Sequence, residues 1–191
     1  MLRLIEPTGA VPLYQLKITL RDSRPPIWRR IIVPANIKLS RLHDVLQTVM
    51  PWTNSHLHQF VVAGVFYGTL DGEVGTETLN EKRYTLVDLA PGPKSAFIYE
   101  YDFGDGWEHK IVVEKVLPPD PALKHVTCLA GKNACPPDDC GGMFGYYDML
   151  TAVADPKHPE HESMKEWLGG KWDPKRFNVD LANADLKRIK L

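Results

Sequence analysis

The segment that constrains the fold most strongly is SAFIYEYDFGDGWEHKIVVEK, residues 95–115. It consists of two runs in which apolar and polar residues alternate, separated by a loop that contains glycines. Side chains of a β-strand alternate between the two faces of a sheet, and glycine accepts the positive φ values that tight loops need. The pattern therefore predicts an antiparallel hairpin with a three-residue loop at residues 104–106. In the predicted register Phe103 faces Trp107 and Tyr101 faces His109.

This hairpin separates an aromatic face from a charged one. The aromatic face holds Phe97, Tyr99, Tyr101, Phe103, Trp107 and His109. Asp102 falls on the opposite face, so Asp102 and His109 are not predicted to form a dyad. His109 has two interpretations, a core residue bonded to a Tyr hydroxyl or a backbone carbonyl, and a ligand or catalytic group. Asp105 at the loop tip is either a turn residue that caps its own backbone or a site residue.

The rest of the chain completes an α+β pattern. Alternating runs predict strands at residues 13–20 and 27–34, and a third strand is predicted at 56–68. Between them Leu42, Val45, Leu46 and Val49 recur at helical spacing. We predict a mostly antiparallel sheet with a β-β-α-β, β-grasp-like opening. Residues 1–117 would form the sheet and helix core, and residues 118–191 a cysteine-containing loop and helical C-terminal extension of the same compact domain.

Composition narrows the class of protein. The formal net charge is −1, 43% of the residues are hydrophobic, and the three cysteines are an odd number. Apolar runs are shorter than the roughly 18 residues of a membrane-spanning helix, and the first residues are too short and too broken by Pro and Gly for a signal peptide. These features predict a cytoplasmic protein without a membrane partner. In a reducing compartment the cysteines would be free thiols or metal ligands.

The cysteines give one candidate metal site. Cys128, Cys135 and Cys140 lie close in sequence to His125, and together they match a tetrahedral zinc site in type and number. Zinc is thus the cofactor that this set would hold, with His109 as an alternative fourth ligand. The spacing lacks a C-x2-C pair, so idle thiols and a surface histidine are the alternative.

Two further clusters are candidates for function. Ligand or catalytic candidates are His56, His58, Asp102, Asp105, Trp107 and His109. The H-x-H spacing puts both imidazoles on one face of a strand, which suits metal binding, although the preceding residues are typical of turns and caps. Nucleic-acid candidates are Arg21, Arg24, Arg29 and Arg30, which flank Trp28. A solvated hairpin end is the alternative for these arginines.

Several fragments occur in a familiar order. They are PPIWRRIIVP, LHDVLQTVMPW, SHLHQF, YEYDFGDGWEHKI, CLAGKNACPPDDCGG and a late KWDP. With them the chain resembles the plasmid pRiA open-reading-frame-three-like family, also labelled as a passenger protein of an insertion element. The resemblance runs from about residue 14 to residue 186. It implies an α+β, β-grasp-like domain and no known reaction.

Three functions compete. The chain lacks the phosphate-binding G-x-x-x-x-G-K-[ST] loop, the G-x-S-x-G elbow and the H-E-x-x-H zinc helix. The first hypothesis is therefore a non-enzymatic interaction module that displays a groove to a protein or peptide, which could also form a homodimer through a sheet edge. The second is a metal-assisted hydrolase, and the third is a nucleic-acid-binding accessory of a plasmid or transposable element.

Overall fold

The computed structural model describes residues 10–69, 77–170 and 172–190. Its strands are β1 (Leu13–Leu20), β2 (Trp28–Pro34), β3 (His58–Val62), β4 (Val65–Gly68), β5 (Leu79–Asn80), β6 (Ala96–Tyr101), β7 (Trp107–Leu117) and β8 (Thr127–Lys132). Its helices are α1 (Leu39–Val49), α2 (Leu86–Leu89), α3 (Gly142–Ala154), α4 (His161–Trp167) and α5 (Val179–Leu186), with a 3₁₀ turn at Glu81–Arg83.

Within these residues the strands form one eight-stranded sheet in the order β5-β4-β3-β6-β7-β1-β2-β8. Neighbours pair antiparallel, except β4 with β5. The predicted α+β class with a mostly antiparallel sheet and C-terminal helices is confirmed. β1 runs antiparallel to both of its neighbours, β2 and β7.

Helix α1 supplies much of the hydrophobic core. Leu42, Val45, Leu46 and Val49, which predicted its apolar face, are all 0% exposed and belong to the main core cluster. The helix ends at Val49 with Met50 as its C-cap, and Pro51, which follows, has no N–H to continue the helical hydrogen bonding. Trp52 follows and stacks on Tyr101, with ring centroids 4.9 Å apart, so the end of α1 is fixed against the β6–β7 hairpin.

The hairpin register was predicted wrongly by two residues. Tyr101 pairs with Trp107 and Tyr99 with His109, and the loop between the strands covers residues 102–106. The loop is longer because Asp102 leaves the strand at a φ of 57°, a conformation that Asp tolerates better than most residues. A shift of two residues preserves the faces of a strand, so the other members of the predicted aromatic row remain on one buried side. Phe103 was predicted to belong to that row but lies in the loop and is 42% exposed.

Two strand assignments also changed. Residues 56–68 form the β3–β4 hairpin, not one strand, because Ala63 and Gly64 both take positive φ as a type I′ turn requires. The segment CLAGKNACPPDDCGG, residues 128–142, was predicted as loop, but its first residues belong to β8, which pairs with β2. Asn183 stabilises this edge, since its side chain bonds both the N–H (2.8 Å) and the carbonyl oxygen (2.9 Å) of Cys128.

The C-terminal helices lie beside this sheet. Helix α3 packs against α4, and α5 packs against β8 and α1. In the described ranges, none of the helices has the length and apolar character needed to cross a membrane.

Candidate functional site

Three polar side chains from distant segments meet at one end of the sheet. His56 lies just before β3, Asp102 just after β6, and Asp139 just before α3. The His56 Nε2 atom is 3.1 Å from Asp139 Oδ1 and 3.6 Å from Asp102 Oδ2. All three ligand-type atoms lie within 4.8 Å of one another. We refer to His56, Asp102 and Asp139 as the HDD cluster.

Local backbone bonds orient Asp102. Its Oδ1 accepts the N–H groups of Gly104 (3.0 Å) and Asp105 (3.3 Å), an Asx-type turn. Its own N–H donates to the carbonyl oxygen of Leu57 (2.9 Å), next to His56. Asp102 is 7% exposed, so the turn holds a buried carboxylate with its second oxygen towards His56.

The loop that carries Asp139 is tied to the segment after α1. Trp52 Nε1 donates to the carbonyl oxygen of Pro136 (3.0 Å). The N–H and the hydroxyl of Thr53 both donate to Asp138 Oδ2, at 2.9 Å and 2.7 Å. These bonds place Asp139 beside His56, three residues after Thr53.

Asp105 joins the hairpin loop to the same segment. Its Oδ2 accepts the N–H of Gly141 (3.2 Å). A Cβ added to Gly142, whose φ is 65°, would lie 2.5 Å from the carbonyl oxygen of Asp105, and a Cβ on Gly145 would collide with the carbonyl oxygen of Cys140. The hairpin loop approaches the start of α3 this closely because position 142 is glycine.

His58 takes a different place from His56. It is buried, its Nε2 lies 2.8 Å from Glu81 Oε2, and its ring stacks on His43 with centroids 3.5 Å apart. His43 in turn contacts the Tyr99 hydroxyl (2.8 Å) through Nδ1 and Asn54 Oδ1 (2.7 Å) through Nε2. The H-x-H pair is therefore split between the HDD cluster and a buried polar network.

The chemistry of the partners assigns the tautomer of His43. Asn54 Oδ1 only accepts, so His43 Nε2 carries the proton, and Nδ1 accepts from the Tyr99 hydroxyl. That hydroxyl accepts a bond from Gln47 Nε2 (2.9 Å). Burial lowers the pKa of His43 to about 4, which keeps the ring neutral. His43, His56, His58 and Glu81 line a cleft of about 550 Å³.

His109 and Trp107 lie in the core. Both are 0% exposed, and His109 Nδ1 is 3.3 Å from the carbonyl oxygen of Tyr99. Burial lowers the pKa of His109 to about 4, and the edge of its ring packs on Trp52. The geometry favours the core interpretation of His109 and separates it from the HDD cluster.

The structure does not assemble the predicted zinc set. Among the residues described, the group of His, Cys, Asp or Glu with ligand atoms within 4.8 Å is the HDD cluster. Cys128 lies in β8 and Cys135 is buried in the core, whereas His125 is exposed. Burial raises the pKa of all three thiols, that of Cys140 to about 12. None of the three cysteines forms a disulfide.

The four arginines do not form one basic surface. Arg29 is 0% exposed and donates to the carbonyl oxygens of Val49 (2.7 Å), Trp28 (2.9 Å) and Lys132 (3.1 Å). Arg30 forms a bidentate pair with Glu114, Arg21 pairs with Glu108, and Arg24 is exposed. Arg29 is thus a structural residue that sequence alone had grouped with surface charges.

Comparison with known proteins places the chain in a family. A model of the plasmid pRiA4b ORF-3-like proteins matches residues 12–181. The chain belongs to the plasmid pRiA4b ORF-3-like family. It is 43% identical over 157 residues to the uncharacterized protein y4hQ of Sinorhizobium fredii, covering 81% of this chain and 80% of that protein.

A solved structure supports the fold of this pRiA4b ORF-3-like protein. The crystal structure of MM3350, a protein of unknown function from Methanosarcina mazei Go1, superimposes with a TM-score of 0.81 at 36% identity. The match covers 90% of this chain and 97% of that one. The predicted family is therefore confirmed, and the relatives carry no assigned reaction.

A groove lies next to the HDD cluster, between α3 and α4. It has a volume of about 340 Å³, and its apolar lining includes Met149, Met164 and Trp167. Its acidic residues are Asp139, Asp148 and Glu160. Asp139 therefore belongs both to this groove, which we call the acidic groove, and to the HDD cluster.

Sequence reasoning missed Asp139 and the His43–Glu81 network. The Asp-Asp pair within CPPDDCGG was a usable signal for the first, because it sits between two cysteines already considered as ligands. His43 was assigned only to an amphipathic helix, and Glu81 lies in a polar stretch without periodicity. Local patterns did not indicate that either residue is buried.

Proposed function

We propose that this pRiA4b ORF-3-like protein is a non-enzymatic binding module, and that it binds a basic, partly apolar peptide segment of a partner protein in the acidic groove. The observation that carries the proposal is the composition of the groove. Two methionines and a tryptophan belong to its lining, and the charged residues that line it are all acidic.

The chemistry of this groove matches such a peptide. Methionine side chains adapt to varied apolar partners, and an exposed indole attracts Lys or Arg through its ring face. Trp167 is 50% exposed, and the nearby Phe144 is 80% exposed. Complementary charge would raise the association rate and favour basic over acidic partners. The aromatic hairpin, which first motivated an interaction module, is not available for this role because Tyr99, Tyr101 and Trp107 are buried.

The test uses two fluorescently labelled peptides of equal length, one alternating Leu with Lys and the other alternating Leu with Glu. Anisotropy titrations should show at least tenfold tighter binding of the Lys peptide, weakening with added salt. Asp148→Asn should weaken it about threefold and Trp167→Ala about tenfold, whereas the matched Asp180→Asn change on α5 should have no effect. Equal binding of both peptides, or no binding of either, would reject the proposal.

A metal-assisted hydrolase is the second candidate, because two of its predicted residues, His56 and Asp102, do converge. Its test is turnover of nitrophenyl phosphate and acetate esters with added Zn²⁺ or Mn²⁺. Activity lost in His56→Ala would support it, and activity unchanged in that variant would reject it. The nucleic-acid hypothesis has less support, since Arg29 is buried and Arg30 and Arg21 are paired with carboxylates.

Three finer features of the sequence prediction remain proposals. The β-grasp-like relationship is supported by the hairpin–helix–hairpin order of β1 to β4. A single domain spanning residues 1–117 and 118–191 is supported by the pairing of β8 with β2. A cytoplasmic location is supported by the three free cysteines.

A further inference from the structure

We propose that the HDD cluster binds one divalent first-row transition-metal ion, with Zn²⁺ the best match. One imidazole nitrogen and two carboxylate oxygens form its donor set. Imidazole favours zinc, iron, nickel and copper over magnesium and calcium, and three protein ligands leave a fourth position for water or a substrate. The inference does not rest on peptide binding by the acidic groove.

The distances suit a single ion. Around tetrahedral zinc, with bonds of about 2.0 to 2.1 Å, ligand atoms are about 3.3 Å from one another. The His56 Nε2 atom lies 3.1 Å from Asp139 Oδ1 and 3.6 Å from Asp102 Oδ2, on either side of that value. Small side-chain rotations would bring all three atoms into a first coordination shell.

The hydrogen bonding of the cluster is an independent observation. His56 Nε2 is buried and has no hydrogen-bond partner in the described part of the chain, even though Asp139 is close. Asp102 is more than nine-tenths buried, and its bonds to Gly104 and Asp105 use Oδ1 alone. A buried ring nitrogen without a partner is costly, and so are two neighbouring carboxylates. A cation between them would remove both costs.

The surroundings resemble the outer shell of a metal site. Ligands of bound metals are held by further hydrogen bonds that fix their orientation. Here the Asx turn holds Asp102, and the Thr53–Asp138 and Asp105–Gly141 bonds hold the loop that carries Asp139. The Asp139 side chain is 71% exposed, so an ion could enter from solvent without unfolding.

The alternative is a protonated His56 that forms ion pairs with both carboxylates. The two alternatives differ in whether the folded protein has affinity for added metal.

Protein dialysed against a chelator and then against chelator-free buffer is titrated with Zn²⁺, Co²⁺ and Mg²⁺ by calorimetry. We expect one Zn²⁺ or Co²⁺ per chain, bound at least tenfold more tightly than Mg²⁺.

Variants locate the ion. Asp139→Ala and His56→Ala should each weaken Zn²⁺ binding at least 30-fold, whereas the matched Asp180→Ala should bind as the wild type does. Asp139 is exposed, so its variant is expected to keep the wild-type circular dichroism spectrum. Binding of Co²⁺ should give visible d–d bands without the near-ultraviolet thiolate band that cysteine ligation produces.

Three results would overturn the site. The first is wild-type protein that binds neither Zn²⁺ nor Co²⁺. The second is unchanged affinity in Asp139→Ala and His56→Ala. The third is a thiolate band that disappears in Cys128→Ser, which would move the ion to the cysteines. None of these results would change the outcome of the peptide titration of the acidic groove. The metal site and the peptide-binding function can therefore be rejected independently of each other.

Discussion

Single residues in this protein owe their chemistry to burial. His109 and His43 have an ordinary imidazole, yet burial lowers the pKa of each from 6.5 to about 4 because a charged ring loses its hydration. The pKa of Tyr99 shifts in the opposite direction. Burial raises it, so the hydroxyl keeps its proton and can donate a hydrogen bond. These groups act as neutral hydrogen-bonding residues at neutral pH.

The lowered pKa of His109 predicts a pH-dependent stability. In the unfolded chain the ring gains a proton below about pH 6.5, whereas in the folded chain it stays neutral down to about pH 4. Stability present above pH 6.5 is therefore lost as the pH falls from 6.5 to 4. His109→Phe should reduce the slope of the unfolding free energy in this window by up to about 1.4 kcal/mol per pH unit.

Urea unfolding at a series of pH values, followed by circular dichroism, measures this slope. The same substitution at the exposed His125 is the control and should leave the slope close to that of the wild type. A slope in His109→Phe equal to that of the wild type would contradict the assignment of a neutral buried imidazole.

At the scale of elements, the start of α3 depends on the absence of side chains. Its N-cap Gly141 and its first residue Gly142 take positive φ, and the Cα of Gly145 packs against the backbone of Cys140. This arrangement lets the hairpin loop with Asp105 lie against the helix start. Two of the fragments that carry the family resemblance, YEYDFGDGWEHKI and CLAGKNACPPDDCGG, are thus in direct contact.

Gly145→Ala should destabilise the protein by about 2 to 3 kcal/mol, because the new methyl group would collide with a backbone carbonyl that cannot move freely. Gly92→Ala is the matched control, since a Cβ there meets no atom within 4 Å. This control should be neutral or stabilising by about 0.4 to 1 kcal/mol. Chemical denaturation compares the two, and equal stabilities would show that the close approach is not maintained in solution.

At the scale of the whole molecule, Arg29 connects the two halves of the chain. Its guanidinium reaches the end of α1 through Val49, crosses to β8 through Lys132, and stacks on Phe177 at 3.8 Å. The planar group satisfies three carbonyl oxygens and an aromatic face at once, which an ammonium group cannot do. The C-terminal segment before α5 is therefore packed on the core by a residue of β2.

Arg29→Lys should cost about 3 kcal/mol of stability, because it removes the stacking on Phe177 and leaves buried carbonyl oxygens without donors. The exposed Arg24→Lys is the matched control, with an expected change within about 0.5 kcal/mol. Thermal or urea unfolding measures both. A small effect at Arg29 would mean that the C-terminal segment is held by other contacts.

Local periodicity was enough to predict part of this architecture. The spacing of Leu42, Val45, Leu46 and Val49 identified the buried face of α1, and strict alternation identified the aromatic face of the β6–β7 hairpin. Both predictions depend on neighbours along the chain, and the hairpin prediction survived the error in register because a shift of two residues keeps a strand's faces.

Folding of the chain was needed for the rest. β8 was missed because its pairing with β2 and its bonds to Asn183, not its own sequence pattern, make it a strand. The convergence of His56, Asp102 and Asp139 depends on where three loops end in space, and no local pattern records that distance. The burial of Arg29 likewise could not be predicted from the sequence. A cation in a basic cluster is typically solvated, and Arg29 is a core residue here because α1 and β8 supply carbonyl groups that accept its hydrogen bonds.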